Sequence, residues 1–140
     1  MNGIHEILLG KFLEGYQEFM PVLLEVDSNF TGVGSQQTEV QTETVDDDVI
    51  IMGVSFVTNS TSPGEMTAKV TDTARGYVWN NKFIPITALA GLANQVSPVL
   101  PLPVPWLLRK QSRLQVNLVN ASTSPGNATS KLVFHGIRVK

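Results

Sequence analysis

Few residues in this chain of 140 could do chemistry. The only histidines are His5, near the start, and His135, near the end. Hydrolysis by a triad needs a serine held against a histidine base, and no Gly-x-Ser-x-Gly elbow is present to supply it. His135 lies in a closing run of apolar residues and reads as a strand residue whose ring is hydrogen-bonded. Without cysteine, and with its histidines separated by nearly the whole sequence, the chain offers no zinc set. Asp46-Asp47-Asp48 could suggest calcium, but adjacent acids in an extended chain point to alternate sides, and the spacing of a calcium loop with its distal Glu is missing. Gly32-Val33-Gly34-Ser35 lacks the lysine and the following helix of a phosphate loop. Glu39, Glu43 and Asp48 could supply a carboxylate pair for glycoside hydrolysis, but nothing around them marks a cleft. Arg109, Lys110 and Arg113 form the densest basic cluster, beside Trp106. In a slightly acidic chain this suits a solvated turn or a protein contact better than a nucleic-acid groove. Four Asn-x-Ser/Thr triplets, at Asn29, Asn59, Asn120 and Asn127, follow from loops rich in those residues. Pro98-x-x-Pro101 has the spacing of an SH3 ligand but is hemmed in by aliphatics. No nucleophile and base pair emerges, and the expectation is a protein that is not an enzyme and carries no cofactor or metal.

The elements that would position these residues are short and extended. Phe19 to Val26 reads as a first strand with Pro21 near its start, and Asn29 to Ser35 as a loop. Gln37 to Val45 is a polar strand rich in Thr. The three aspartates make a turn before a strong strand, Val49 to Thr58, expected to show Ile50, Met52, Val54 and Phe56 on one face. Met66, Ala68 and Val70 alternate with Thr67, Lys69 and Thr71, the period of a half-buried strand. Arg75-Gly76 ends it. Tyr77 to Trp79 and Phe83 to Ile86 are further extended pieces, and Leu89, Leu92 and Val96 suit one or two helical turns. Leu114, Val116 and Leu118 share a face of the next strand, and Leu132 to Val139 closes the chain. The segments Phe56 to Gly64 and Leu118 to Gly126 echo each other, each ending in Ser-Pro-Gly, and predict two hairpins with type II turns. From Leu100 to Trp106, prolines 101, 103 and 105 fall on alternate residues. This predicts an edge strand or a polyproline-like segment, barred from pairing along one edge, with Leu100, Leu102, Val104 and Trp106 sealing a core. The sum is an all-β fold, a two-sheet antiparallel sandwich of jelly-roll or Greek-key type with about eight strands; a barrel is the alternative. Residues 1–18 read as an N-terminal arm, helical or extended, and 19–140 as a single sandwich domain.

Charged residues make up 16% of the chain, against about 25% in an average soluble domain. All twelve acids lie at or before Asp72 and eight of the ten bases at or after Arg75, giving −10 and +8 for the two halves. Either interleaved strands mix these charges on one surface, or an acidic face and a basic face meet neighbouring subunits. The start carries Glu6, Lys11 and Glu14 and does not resemble a signal peptide. No run of about 18 apolar residues could span a membrane.

The aliphatic-proline run to Trp106, the following Arg109-Lys110-Gln111-Ser112-Arg113-Leu114-Gln115-Val116-Asn117-Leu118-Val119-Asn120 and the closing Phe134-x-Gly136-x-x-Val139 together resemble the jelly-roll cement, or decoration, proteins of tailed bacteriophages. The likeness is to the head-stabilising protein of a Bordetella podophage in particular, and it covers Phe83 to Lys140 best. It implies a structural virion protein on the capsid exterior that binds major capsid protein and braces the shell. It also implies a homodimer or larger oligomer, assembled in the host cytoplasm without export, contacting neither nucleic acid nor membrane. Phe12, Tyr16 and Phe19 would be the anchors of the arm, and Arg109, Lys110 and Arg113 a basic contact. A carbohydrate- or receptor-binding jelly roll is the alternative; it would need Tyr77, Trp79 or Trp106 exposed in a polar groove.

Overall fold

In the computed structural model the described residues are 3–31, 36–42, 44–58, 66–80, 82–92, 99–120 and 127–140. A helix, α1 (Gly3–Leu13), precedes β1 (Phe19–Thr31), β2 (Gln36–Gln41), β3 (Asp48–Thr58), β4 (Met66–Asp72), β5 (Tyr77–Val78) and β6 (Ile84–Pro85). A single turn of helix, α2 (Ile86–Leu89), leads to β7 (Gly91–Leu92), β8 (Leu100–Leu108), β9 (Leu114–Asn120) and β10 (Asn127–Val139).

The strands form two sheets, one ordered β1-β10-β3 with β7 and β8 both on β3, the other β2-β9-β4 with β5 and β6 both on β4. Among the described residues, only the two-residue contact of β7 with β3 is parallel. Among the described strands, six of the nine successive connections pass from one sheet to the other. With β5 and β6 taken as one interrupted strand, β1-β10-β3-β8 faces β2-β9-β4-β5, the strand order of a jelly roll. This is the expected sandwich.

The two Ser-Pro-Gly loops do not close hairpins. β3 and β4 lie in different sheets, as do β9 and β10; the pairs that form are β3 with β10 and β4 with β9. Phe56 and Leu132 in one sheet, and Met66 and Leu118 in the other, are all buried in the common core. A crossing sets these apolar faces opposite each other, whereas a hairpin would lay them side by side on one sheet. The turns themselves fall outside the described residues.

Burial follows the sequence pattern where the strands are regular. Met66, Ala68, Val70, Leu114, Val116 and Leu118 all point into the core. On β3 the expected inward face holds for Val54 and Phe56 but not for Ile50 and Met52. Val49 and Ile51 face inward at one end, Val54 and Phe56 at the other. Met52 is an extra residue, since Gly136 pairs with Ile51 while His135 pairs with Gly53. That bulge reverses the alternation. The same irregularity bows β8: Trp106 lies opposite Ile51 and Pro101 opposite Gly53, so four residues, 102–105, face a single step of β3. As a result the proline strand is an edge strand, as expected, but its side chains do not form one ridge. Leu102 and Trp106 pack on the core, while Leu100 and Val104 are exposed. Two further boundaries move. β1 continues through Asn29 to Thr31, because β10 is long enough to pair with all of it. The first residues form a helix, which ends where Gly15 adopts a φ of 85°.

Candidate interaction surface

Asp48, the first residue of β3, joins the two groups of candidate contact residues. The Tyr16 hydroxyl donates to its Oδ2 at 2.6 Å, and Arg109 Nη1 stands 3.5 Å from the same oxygen. The Lys110 amide donates to Oδ1 at 2.8 Å. Burial pushes the Asp48 carboxyl up, but the Tyr16 hydroxyl, the Lys110 amide and the charges of Arg109 and Lys110 outweigh it and hold the pKa below its ordinary 3.8. The hydrogen bond to Asp48, and then burial, raise the Tyr16 phenol above 10.0. Next to this node Arg113 Nε donates to Thr44 Oγ1 at 2.7 Å, and the Gln111 amide to the Val45 carbonyl at 2.7 Å. The basic turn between β8 and β9 is thus seated on the acidic segment that leads into β3.

Phe12 and Tyr16 are half-buried, and α1 lies against β8. Phe19 is 49% exposed. Arg109, Lys110 and Arg113 are exposed at the turn. The ion contacts of Asp48 with Arg109, of Asp72 with Arg75 and of Lys131 with Glu25 and Asp27 join the acidic half of the chain to the basic half. Charge mixing within one subunit, the first of the two readings, is what these pairs express.

A second cluster ties β4 to β8 across the two sheets. Asp72 is fully buried and accepts from Trp106 Nε1 at 3.0 Å and from the Ala74 amide at 3.2 Å, with Arg75 Nη2 3.3 Å away. Arg75 also donates to the Leu107 carbonyl. Its guanidinium covers the rings of Tyr77 and Trp106, 5.6 and 5.2 Å from their centroids. Trp106 touches Trp79 at 5.6 Å between centroids, and Trp79 meets Phe134 edge to face at 5.7 Å. Both tryptophans pack against the core. Of the three rings a sugar could stack on, only Tyr77 is exposed.

His135 has the bonded ring its place in the strand suggests: Nε2 lies 2.8 Å from Ser55 Oγ. Burial lowers its pKa from 6.5. Among the described residues no third group orients the other ring nitrogen, so this contact has the parts of a strand-to-strand bond rather than of a relay. No cluster of three metal-ligating side chains occurs among the described residues, and no helix among them is long and apolar enough to cross a membrane.

The feature the sequence reading missed is the outer edge of β1. Glu18 and Lys140 exchange both backbone hydrogen bonds, each at 3.0 Å. Alternate residues therefore direct their amides and carbonyls the other way. Phe19, Pro21, Leu23, Glu25 and Asp27 point theirs to the free edge, where the sheet has no further strand among the described residues. Pro21 has no N–H to lose there. Along this edge Met20 and Leu23 are 57% and 58% exposed. Beside it runs a groove of about 450 Å³, lined by residues 22–25, Asp27 and Arg138 on one side and 44–46 on the other. Pro21, which has no N–H to give a neighbouring strand, is the sequence signal that bears on this edge; its direction comes from the Glu18–Lys140 pair.

No protein-family model and no curated protein matches the chain. Among solved structures, it resembles a chain of the capsid asymmetric unit of cyanophage Pam1 (11% identity, 86% of each chain covered, TM-score 0.48). It also resembles VP17, a capsid protein of bacteriophage P23-77 (9% identity, 89% of this chain and 98% of that one, TM-score 0.39). A third is the xylan-binding module CBM15 (13% identity, 86% and 97%, TM-score 0.29). The jelly-roll assignment rests on the strand order given above.

Proposed function

We propose that this chain is a structural protein of a tailed-phage virion, a cement or decoration protein. It binds major capsid subunits on the head exterior, as the likeness to the protein of a Bordetella podophage implies. It acts by adhesion and carries out no catalysis. The observation that most supports this reading is that Phe19 and Leu23 on one face of β1, and Met20 on the other, are exposed along a strand edge that has no partner among the described residues, next to the arm. Such a strip is costly to leave in water and suits a component that works when covered. The weak overall charge agrees, because it offers little electrostatic resistance to association. The carbohydrate-binding alternative is less well supported, since Trp79 and Trp106 belong to the core and Arg75 covers the Tyr77 ring.

The test is the protein inventory of virions purified from the source of this sequence, by quantitative mass spectrometry. The expected result is hundreds of copies per particle, lost together with head stability to heat when the gene is deleted. Absence of the chain from virions, or a clean glycan-array hit by the purified protein, would sink the cement reading.

A further inference from the structure

We propose that two copies of this chain join by antiparallel pairing of their β1 strands, centred on Leu23, so that the sheet containing β1 continues across a twofold axis. The capsid reading implies a homodimer or larger oligomer; the interface and its register are new, and they stand without that reading. Three observations lead to it. The edge residues 19, 21, 23, 25 and 27 direct their backbone polar groups away from β10, as the Glu18–Lys140 pair requires, and among the described residues no strand receives them. The exposed apolar side chains Phe19 and Leu23 belong to that same set. A groove of about 450 Å³ opens beside residues 22–25 and Asp27, with Thr44, Val45 and Asp46 across it.

The identity of the occupant follows from register. In an antiparallel pair the edge-directed residues of one strand face those of the other. Centring on Glu25 would set two carboxylates directly opposite, which is destabilising. A centre at Pro21 would bring together two residues without donors, removing the middle pair of hydrogen bonds. Registers one step either side of Leu23 place it against Pro21 or Glu25. Only a centre at Leu23 sets the two leucines against each other. Pro21 then faces Glu25 of the second copy, and Phe19 faces Asp27, so no like charges are opposed. Lys131, which lies 3.2 Å from Glu25 and 3.8 Å from Asp27, already offsets the acids at that end.

The chain has no cysteine, so single-cysteine variants give a clean test. Leu23→Cys places two thiols on residues about 5.5 Å apart at Cα, within disulfide range. Mild oxidation should convert it to a covalent dimer on non-reducing gels, whereas Glu25→Cys should stay monomeric. In sedimentation, the unaltered protein should run as two chains and Leu23→Lys as one, with a dissociation constant raised about 100-fold or more by the two opposed charges. Because Leu23 is well exposed, an unchanged melting temperature of diluted Leu23→Lys would show that the monomer still folds. A one-chain mass for the unaltered protein overturns the proposal, and so does cross-linking through Glu25→Cys in place of Leu23→Cys. Copy number on virions is read separately: a dimer absent from virions removes the capsid reading alone, and a monomer abundant on virions removes the β1 pairing alone.

Discussion

Single side chains in this protein are held by pairings that act in separate pH windows. His135 has a folded pKa below 6.5, so under acid conditions the unfolded chain takes up a proton that the folded ring resists. Stability from this group is complete above about 6.5 and is lost as pH falls through the lower folded value. His135→Gln should flatten the pH dependence of the urea midpoint between pH 7 and 5. A slope unchanged by the substitution would show that another group is responsible. Asp48 acts further down: its folded pKa lies under 3.8, so its contribution is present above that value and disappears as pH drops through the folded one. Asp72 is the more costly residue to lose. Its buried carboxylate holds Trp106 and Arg75 at 3.0 and 3.3 Å, and Asp72→Ala leaves both donors without it. Removing one partner of a buried pair typically costs about 3–5 kcal/mol. The partial exposure of Arg75 sets the expected loss near the lower figure, about 3 kcal/mol, as read by denaturant unfolding.

At the scale of elements, the bulge of β3 and the bow of β8 are set by two glycines. A Cβ on Gly136 would run into the Ile50 carbonyl oxygen and come within 3.3 Å of the Ile51 Cα. On Gly53 it would stand 2.7 Å from Val99 Cγ1 and 3.1 Å from the Leu100 carbonyl oxygen. Backbone cannot yield as a side chain can. Gly136→Ala should therefore cost about 3 kcal/mol, the upper part of the range for overpacking, and more than Gly53→Ala, whose nearest neighbour is a movable methyl group. Equal melting temperatures for the two variants would contradict this account. The same bulge explains why Ile50 is fully buried yet stands outside the central core, on the face that also carries Asp48. That face is where Tyr16 returns from α1.

For the whole molecule, the question is what the arm does. α1 lies on β8, and Tyr16 is bonded to the start of β3, so the arm is partly spent on its own subunit. Removal of residues 1–18 should lower stability as well as any capsid occupancy. Tyr16→Phe separates the two effects. It removes one hydrogen bond to a carboxylate, worth about 1.5 kcal/mol, and should leave two-chain mass and virion copy number unchanged. A loss of occupancy in Tyr16→Phe at full stability would instead make the hydroxyl a capsid contact.

Much of the architecture is written locally. The alternation of β4 and β9, the break at Arg75-Gly76 and the edge position of β8 all follow from side-chain period and from where proline and glycine can sit. So does the bonded ring of His135, a residue set among alternating apolar neighbours. The sheet to which a strand belongs is not local. Phe56 and Met66 flank a loop that reads as a hairpin, and only the closing of a common core decides that they face each other from opposite sheets. The bulge at Met52 is equally nonlocal, since it depends on the match of β3 to both β10 and β8. Asp48 was visible as one of three acids in a turn; its partners come from positions 32 residues before it and more than 60 after it. The free edge of β1 stands between the two cases. Pro21 is in the sequence, but which way its missing N–H points is decided by the Glu18–Lys140 pair, which joins the two ends of the fold.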